Sequence, residues 1–160
     1  MKVSAVQFRH IANDVDGNLA RVAGFIEQGS GTGVQVMVFP ECCLSGYWHL
    51  RNLQRTELEQ LAERIPEGSS CQSVMRMARQ YTMTIGVGLV EISADGRLFN
   101  SYFVVNSDGS WVNHRKLHCF ISPHLESGDR YTVFQGPGDR RFGVLTCYDN
   151  NLIENVRATA

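Results

Sequence analysis

Three side chains that can take part in covalent chemistry lie far apart in the sequence: Glu41, Lys116 and Cys147. A thiol is mostly protonated at neutral pH, so it needs an adjacent base or positive charge before it can attack carbon. Glu41 can act as that base. The attack places negative charge on the substrate, and fixed donors must stabilise this charge. Lys116 can supply one of them.

The sequence around Cys147 indicates a second donor. Cys147 follows the apolar run FGVLT and begins the segment CYDNN, which we interpret as a turn from a strand into a helix. The first backbone N–H groups of a helix have no partner within it, and its N-terminus favours negative charge. We therefore expect the Tyr148 backbone N–H to support Lys116 at the oxyanion.

Each of the three side chains comes just after a predicted strand. Glu41 follows VQVMVFP, Lys116 follows WVNHR and Cys147 follows FGVLT. In open α/β sheets, ligand sites form outside the carboxyl ends of the strands. Residues that are distant in sequence can therefore converge at this edge of the sheet.

The remaining pattern predicts an α/β domain with a mixed sheet. A strand, helix and strand open the chain, which favours parallel pairing, and two Asp-Gly pairs later predict hairpin turns. Two predicted capping boxes, Thr56 with Glu59 and Ser69 with Gln72, mark helix starts. The predicted strands are Val3–Phe8, Val34–Phe39, Thr82–Glu91, Arg97–Val105, Trp111–His114 and Phe142–Thr146, and further helices are predicted at Asn18–Gln28 and Ile153–Ala160.

Composition narrows the class of protein. The 160 residues are 43% hydrophobic and 19% charged with a formal net charge of -1, which indicates one ordinary soluble domain. The five cysteines form no CxxC pair, which argues against a disulfide framework or a zinc module and favours a reducing, cytoplasmic location. The arginines are scattered and no apolar stretch reaches membrane length, so we expect neither nucleic-acid nor membrane partners.

Three motifs give these residues a family context. FPE at Phe39–Glu41, HRKLH at His114–His118 and LTCYD at Leu145–Asp149 resemble the signature motifs of the nitrilase superfamily, the carbon-nitrogen hydrolases with a Glu-Lys-Cys triad. Smaller matches agree in order along the whole chain, among them VSAVQ, LSGY, the pair NS at 100–101, and Glu154 with Arg157. Any single motif is weak, but three in order at these separations are specific.

The resemblance implies an α-β-β-α sandwich and a hydrolase that needs neither metal nor cofactor. Cys147 would attack the carbon of a small amide or carbamoyl substrate, Glu41 would act as base and Lys116 would stabilise the oxyanion, with a thioester as intermediate. Glu126 would be a second, supporting glutamate. CYD, in place of the CWE typical of true nitrilases, favours amides over nitriles.

The resemblance also sets limits. Family members continue well beyond this length, so we expect residues 1–160 to form only the N-terminal portion of the domain. A half sandwich would expose apolar surface, and we expect a homo-oligomer, aggregation, or a covering partner. Leu152 and Ile153 stand where the family commonly has an aromatic residue and a proline, which alters the wall beside Cys147.

Alternative interpretations remain open. A truncated member of the superfamily could serve as a non-catalytic interaction or oligomerisation module, and a generic nucleotide-binding domain has only the fold class in its favour. A metal site at His114, His118, Cys119 and His124 is disfavoured, because these residues fall on a predicted strand end and loop instead of one helix face. The glycines of IGVG at Ile85–Gly88 are better explained by close packing of the strand than by a dinucleotide site.

Overall fold

A six-stranded mixed sheet organises the chain in the computed structural model, which describes residues 1–160. The strands run in the order β1-β2-β3-β4-β5, and β6 pairs with the start of β4. A separate hairpin is formed by β7 and β8. The strands are β1 Val3–Ala5, β2 Val36–Val38, β3 Thr84–Ile92, β4 Leu98–Val105, β5 Trp111–Arg115, β6 Leu125–Glu126, β7 Thr132–Gly136 and β8 Arg140–Val144.

The chain has four α-helices: α1 Val15–Ser30, α2 Arg55–Leu61, α3 Ser69–Gln80 and α4 Ile153–Thr159. Two 3-10 segments, Trp48–Asn52 and Cys147–Asn151, precede α2 and α4. None of the helices combines the length and apolar character needed to cross a membrane.

Strand direction brings two of the candidate residues to one edge. The strands β1, β2 and β3 pair in parallel, whereas β3, β4 and β5 pair antiparallel. It follows that β2 and β5 run in the same direction and that their carboxyl ends lie at the same edge of the sheet. The predicted parallel opening unit and mixed sheet are confirmed, as are the Asp-Gly turns, whose glycines Gly96 and Gly109 have φ of 80° and 90°.

The two faces of the sheet are covered differently. Helices α1 and α3 pack on one face, where Val22, Ile26 and Val74 share a core with Ile85, Val87, Leu89 and Phe103. The other face carries Gly88, Asn100, Tyr102 and Lys116. It receives the loop after β2, and Phe134, Phe142 and Val144 of the hairpin line an apolar cavity with Val36, Tyr102 and Val104. This second face is the one that holds the candidate site.

Both predicted capping boxes are wrong. Helix α2 begins two residues earlier than expected, with Gln54 as the capping residue and Glu57 as its partner. Helix α3 begins after Gly68 without a side-chain cap, because the Glu63 carboxylate, from outside the helix, accepts the Ser70 N–H at 2.9 Å. The sequence prediction also missed β6 and β7 and placed β8 two residues too late.

Candidate active site

Glu41, Lys116 and Cys147 come together at the carboxyl ends of β2, β5 and β8. Lys116 directly follows β5, and Glu41 and Cys147 each lie three residues beyond their strand. The Lys116 Nζ is 2.6 Å from Glu41 Oε1, and the Glu41 carboxylate also faces the Cys147 thiol. Convergence at one edge was the expectation from the sequence, while the catalytic roles of the three residues stay predictions.

The loop that carries Glu41 lies directly on the sheet at Gly88. The Leu44 N–H donates to the Gly88 carbonyl at 3.0 Å, and the Phe39 N–H donates to the Gly86 carbonyl at 2.9 Å. A Cβ at position 88 would lie 2.3 Å from the Cys42 nitrogen and 2.9 Å from the Pro40 oxygen. Close packing of the strand therefore explains this glycine, as expected from the sequence.

Asn100 on β4 connects Glu41 with the strand end at Lys116. Its Nδ2 donates to Glu41 Oε1 at 2.6 Å, and its backbone carbonyl accepts the Lys116 N–H at 2.9 Å. The Cys42 thiol donates to Asn100 Oδ1 at 3.3 Å, which fixes the orientation of the amide. Asn100 is buried. Sequence reasoning found it only as part of the NS match and assigned it no contact.

Lys116 is a buried cation with one carboxylate partner. Only 1% of its side chain is exposed, against 14% for Glu41. Burial would lower the pKa of Lys116, but the hydrogen bond and charge of Glu41 outweigh burial and hold this pKa above its ordinary value. The rings of Phe120 and Tyr47 lie 5.1 Å and 5.6 Å from its Nζ. The ammonium is therefore charged and held on three sides.

On the opposite face of the sheet, an ion pair secures the residue before Lys116. Arg115 Nη2 donates to Glu91 Oε1 at 2.5 Å, and Ser101 and Asn113 donate to the same carboxylate. Burial alone would raise the pKa of Glu91, but Arg115 and the other donors outweigh it, and the pKa is lowered. This cluster holds the end of β5 in place from the face opposite the candidate site.

Cys147 is exposed and has an unusual backbone conformation. Its φ of 51° lies in the left-handed region that few residues other than glycine adopt. Burial by the surrounding groups and then the Glu41 charge raise the pKa of the Cys147 thiol, whereas Lys116 and the Tyr148 N–H lower it. The effects that raise the pKa are the larger ones, so the pKa of Cys147 lies above its ordinary value. The site therefore presents a protonated thiol beside a carboxylate that can accept its proton.

Tyr148 contributes a backbone donor and an aromatic ring. Its N–H lies against the Cys147 sulfur. Its ring makes edge contacts with His118 and Phe120 at centroid distances of 6.3 Å and 5.8 Å. The predicted helix N-terminus needs correction, because a five-residue 3-10 segment begins at Cys147 and α4 starts only at Ile153. So short a segment has only a small helix dipole. The Tyr148 N–H is therefore the part of the expected anion-stabilising helix terminus that remains.

Asp149 is a buried acidic group that sequence reasoning missed, using it only to separate CYD from CWE. No part of its side chain is exposed. Its oxygens accept the backbone N–H groups of Leu117 at 3.0 Å and His118 at 2.9 Å. Burial would raise the pKa of Asp149, but His114 and the two backbone donors outweigh it, so the pKa is lowered. An Asp two residues after a cysteine that ends an apolar run was the available signal.

The structure does not bring Glu126 into this group. Glu126 lies on β6, and half of its side chain is exposed. Its carboxylate is 3.4 Å from Arg97 Nη1, a guanidinium that also pairs with Asp95 at 2.8 Å. In this arrangement Glu126 has a surface partner of its own, while Lys116 is paired with Glu41.

The site holds no metal-ligand constellation. No group of three or more His, Cys, Asp or Glu side chains is arranged to hold a metal ion. The His114 ring is fully buried, and its Nδ1 lies 3.1 Å from Thr132 Oγ1. Cys42 and Cys43 are also buried, and burial raises the pKa of Cys43 to about 12. These two thiols are shielded from solvent, whereas Cys147 is exposed.

A comparison with known families gives a match over almost the whole chain. Residues 2–160 match the sequence model of the carbon-nitrogen hydrolase family, and the chain belongs to that family. An (R)-stereoselective amidase from a Pseudomonas species is 33% identical over 162 residues, which cover 100% of this chain and 56% of that protein. A nitrilase from Pyrococcus abyssi is 32% identical over 164 residues, covering 100% and 60%.

An omega-amidase from Bos taurus is 32% identical over 149 residues, which cover 86% of this chain and 51% of that protein. The chain thus spans between 51% and 60% of the length of these three relatives.

Solved structures show the same fold. Saccharomyces cerevisiae Nit3, a member of branch 10 of the nitrilase superfamily, superposes with a TM-score of 0.83 at 25% identity, covering 100% of this chain and 61% of that chain. An amidase from Nesterenkonia sp. has a TM-score of 0.79 at 18% identity, covering 99% and 60%. The fold class that the motifs implied is confirmed.

Proposed function

We propose that this protein hydrolyses the C–N bond of a small amide, with Cys147 as nucleophile, Glu41 as base and Lys116 as oxyanion donor. The observation that carries the proposal is the position of the Glu41 carboxylate between the Lys116 ammonium, at 2.6 Å, and the Cys147 thiol. A nucleophile, a base and a fixed positive charge are the groups that acyl transfer through a thioester requires.

In the first half of the reaction, the Cys147 sulfur attacks the carbonyl carbon of the amide while Glu41 takes the thiol proton. The carbonyl oxygen becomes an oxyanion, which Lys116 and the Tyr148 N–H stabilise. As the C–N bond breaks, Glu41 gives the proton to the leaving nitrogen. Ammonia or an amine departs, and a thioester remains on Cys147.

In the second half, Glu41 accepts a proton from water, and the resulting hydroxide attacks the thioester carbon. The oxyanion forms again in the same position. When the C–S bond breaks, Glu41 returns the proton to the sulfur, the acid is released and the thiol is restored. One carboxylate thus serves as base and acid in turn, and no cofactor enters the balance.

The raised pKa of Cys147 favours a mechanism in which the thiol loses its proton during the attack. It disfavours one in which the thiol is already ionised before the substrate binds. A cysteine with a lowered pKa is ionised before the substrate arrives. Here burial and the Glu41 charge favour the neutral thiol, so the proton has to leave as the C–S bond forms. Glu41 faces the thiol and is the group suited to receive it.

Relatives in both the amidase and the nitrilase groups match this chain. We propose an amide as substrate because CYD at 147–149 resembles the amidase side of the family. Glu126 is left out of the proposed reaction because its carboxylate pairs with Arg97.

A second candidate function is an interaction or oligomerisation module without catalysis. The β7–β8 hairpin favours it, because this two-stranded sheet pairs with no other strand. Unpaired strand edges are surfaces on which another chain can dock.

The test is turnover and covalent capture. The purified protein is incubated with small amides, ammonia release is followed, and peptide mass spectrometry locates any acyl adduct or label from a thiol-reactive probe. Cys147→Ala should lower turnover by about a thousandfold or more because the nucleophile is lost. Lys116→Ala and Glu41→Gln should also abolish turnover.

A matched variant checks where the adduct forms. Cys119 is the other thiol that is not fully buried, so Cys119→Ala should leave the adduct at Cys147 in place. Equal turnover in the parent and in Cys147→Ala would overturn the proposed mechanism, whereas a folded protein without turnover on any amide would favour the interaction module.

A further inference from the structure

We propose that Asp149 is a positioning residue. It holds the Cys147 turn, residues 147–151, at a fixed distance from the Lys116 loop, residues 116–118. The proposal rests on the proposed function, because it explains how the nucleophile and its charged neighbours keep their geometry. The structural observation is independent of any reaction. A single buried carboxylate, two residues after Cys147, binds backbone groups directly after Lys116.

The two oxygens of Asp149 have separate partners on the Lys116 loop. Oδ2 accepts the Leu117 N–H at 3.0 Å and Oδ1 accepts the His118 N–H at 2.9 Å. Hydrogen bonds to an ionised acceptor are roughly twice as strong as neutral ones. Two such bonds from one side chain restrict both distance and rotation between the two loops.

A third contact comes from the strand that leads to Lys116. His114, on β5, is fully buried, and its Nε2 lies 3.6 Å from Asp149 Oδ2 without a hydrogen-bond partner of its own. The other ring nitrogen is held by Thr132 on β7. Asp149 therefore meets groups on both sides of Lys116 in the sequence, at 114 and at 117–118.

The turn that carries Asp149 is itself braced. The Asp149 N–H donates to the Thr146 carbonyl at 3.1 Å, and Asn155 Nδ2 donates to the Asp149 carbonyl at 3.0 Å. Asn150 Nδ2 donates to the Cys147 carbonyl at 3.2 Å. A constraint on the Asp149 side chain is thus transmitted to the backbone of Cys147.

The chemistry of the contact requires a carboxylate. An asparagine offers one acceptor oxygen, and its NH₂ group would face a backbone N–H donor. Asp149→Asn should therefore keep the size of the side chain and lose one of the two bonds, while Asp149→Ala should lose both. These variants form a graded series, and Asn is available if Ala fails to fold.

The experiment measures how much the Glu41 charge shifts the apparent pKa of the Cys147 thiol. Alkylation of Cys147 by iodoacetamide is followed against pH by peptide mass spectrometry, which gives the apparent pKa of this thiol without any amide turnover. Because the Glu41 charge raises the pKa of Cys147, Glu41→Gln should lower it in the parent protein. The same substitution is then made together with Asp149→Asn.

In the Asp149→Asn background the shift caused by Glu41→Gln should shrink by roughly a factor of two or more, since the turn no longer holds the thiol against the carboxylate. Asp139→Asn, the same change in the exposed β7–β8 turn, should leave the full shift in place. A residue with only a structural role would lower the melting temperature and leave the shift unchanged.

An equal shift in the parent and in Asp149→Asn would overturn the proposal, and so would the absence of a shift in both. Failure of the proposed function gives a different result, because the protein would then release no ammonia while the coupling between Glu41, Asp149 and Cys147 persisted.

Discussion

Asn100 controls the position of Glu41 more directly than any other neutral residue of the site. The carboxylate receives two hydrogen bonds of 2.6 Å on the same oxygen, one from Lys116 and one from Asn100. The second carboxylate oxygen stays available to the thiol. One oxygen therefore holds the carboxylate in place, and the other is free for the proposed proton transfer.

Asn100→Leu should reduce turnover with little effect on KM, because Glu41 loses a neutral donor while the substrate contacts remain. A hydrogen bond to a charged group contributes about 1.5–3 kcal/mol, so the expected loss in kcat is about tenfold or more. Steady-state kinetics on an amide identified by ammonia release provide the measurement.

Asn113→Leu is the matched control for Asn100→Leu. Asn113 also donates to a carboxylate, that of Glu91, but on the opposite face of the sheet. It should cost stability and lower kcat much less than Asn100→Leu does. Equal losses of kcat in both variants would mean that the effect of Asn100 comes from general destabilisation.

The convergence of Glu41, Lys116 and Cys147 could be expected from the sequence, whereas the residues that support them could not. Glu41, Lys116 and Cys147 stand in motifs that carry a chemical pattern. Asn100 and Asp149 act through contacts with residues 59 and 32 positions away. Such contacts depend on strand register and on the path of loops. The spacing of neighbouring residues in the sequence therefore cannot predict them.

At the scale of elements, the site depends on the close approach of the Glu41 loop to β3. The loop lies on Gly88 and hydrogen-bonds to its carbonyl, and the same loop is tied to α1, because Asn18 Nδ2 donates to the Leu44 carbonyl at 2.9 Å. Glu41 is therefore carried by a loop that is fixed from the sheet and from a helix.

Gly88→Ala should destabilise the protein by about 2 kcal/mol or more and displace Glu41, because the added methyl group meets backbone atoms that cannot rotate away. Gly24→Ala, in α1, is the control. Nothing lies within 4 Å of its Cβ position, and it should stabilise the helix by about 0.5–1 kcal/mol.

Urea unfolding of both glycine variants gives the free energies, and alkylation of Cys147 reports on the site. If Gly88→Ala unfolds at the same urea concentration as the parent, the loop can retreat from the sheet and the packing argument fails.

Elements with a regular pattern were predicted well, and those set by tertiary contacts were not. The long strands β3 and β4 and the Asp-Gly turns between strands followed from apolar runs and turn chemistry. The start of α3 did not, because the Glu63 carboxylate replaces a local cap. The short strand β6 and the hairpin strand β7 also lacked a distinctive pattern, since β6 has only two residues and the two large apolar residues of TVFQG are adjacent instead of alternating with polar ones.

At the scale of the whole molecule, the two sheets are unequal. The main sheet has six strands and the second has two, so the outer edges of β7 and β8 carry unpaired backbone groups. Tyr131 and Val133, beside and within β7, are exposed, as is the neighbouring Trp111. Unpaired edges together with exposed apolar side chains favour association with further strands.

We therefore expect the 160-residue chain to self-associate at concentrations on the order of micromolar, as seen by light scattering. Val133→Lys, which places a charge on β7, should lower the apparent mass. Val156→Lys, a similar change at an exposed position of α4, should not. A monodisperse monomer at all concentrations would contradict this expectation.

At Cys147 the left-handed backbone conformation makes stability and the proposed reaction favour different residues. A side chain other than glycine costs roughly 1–2 kcal/mol in this conformation. A collection of variants at position 147 that is sorted only for resistance to unfolding should therefore become enriched in glycine, whereas the proposed reaction requires cysteine. Under the proposed reaction, the protein keeps a thiol at this residue in spite of its conformational cost.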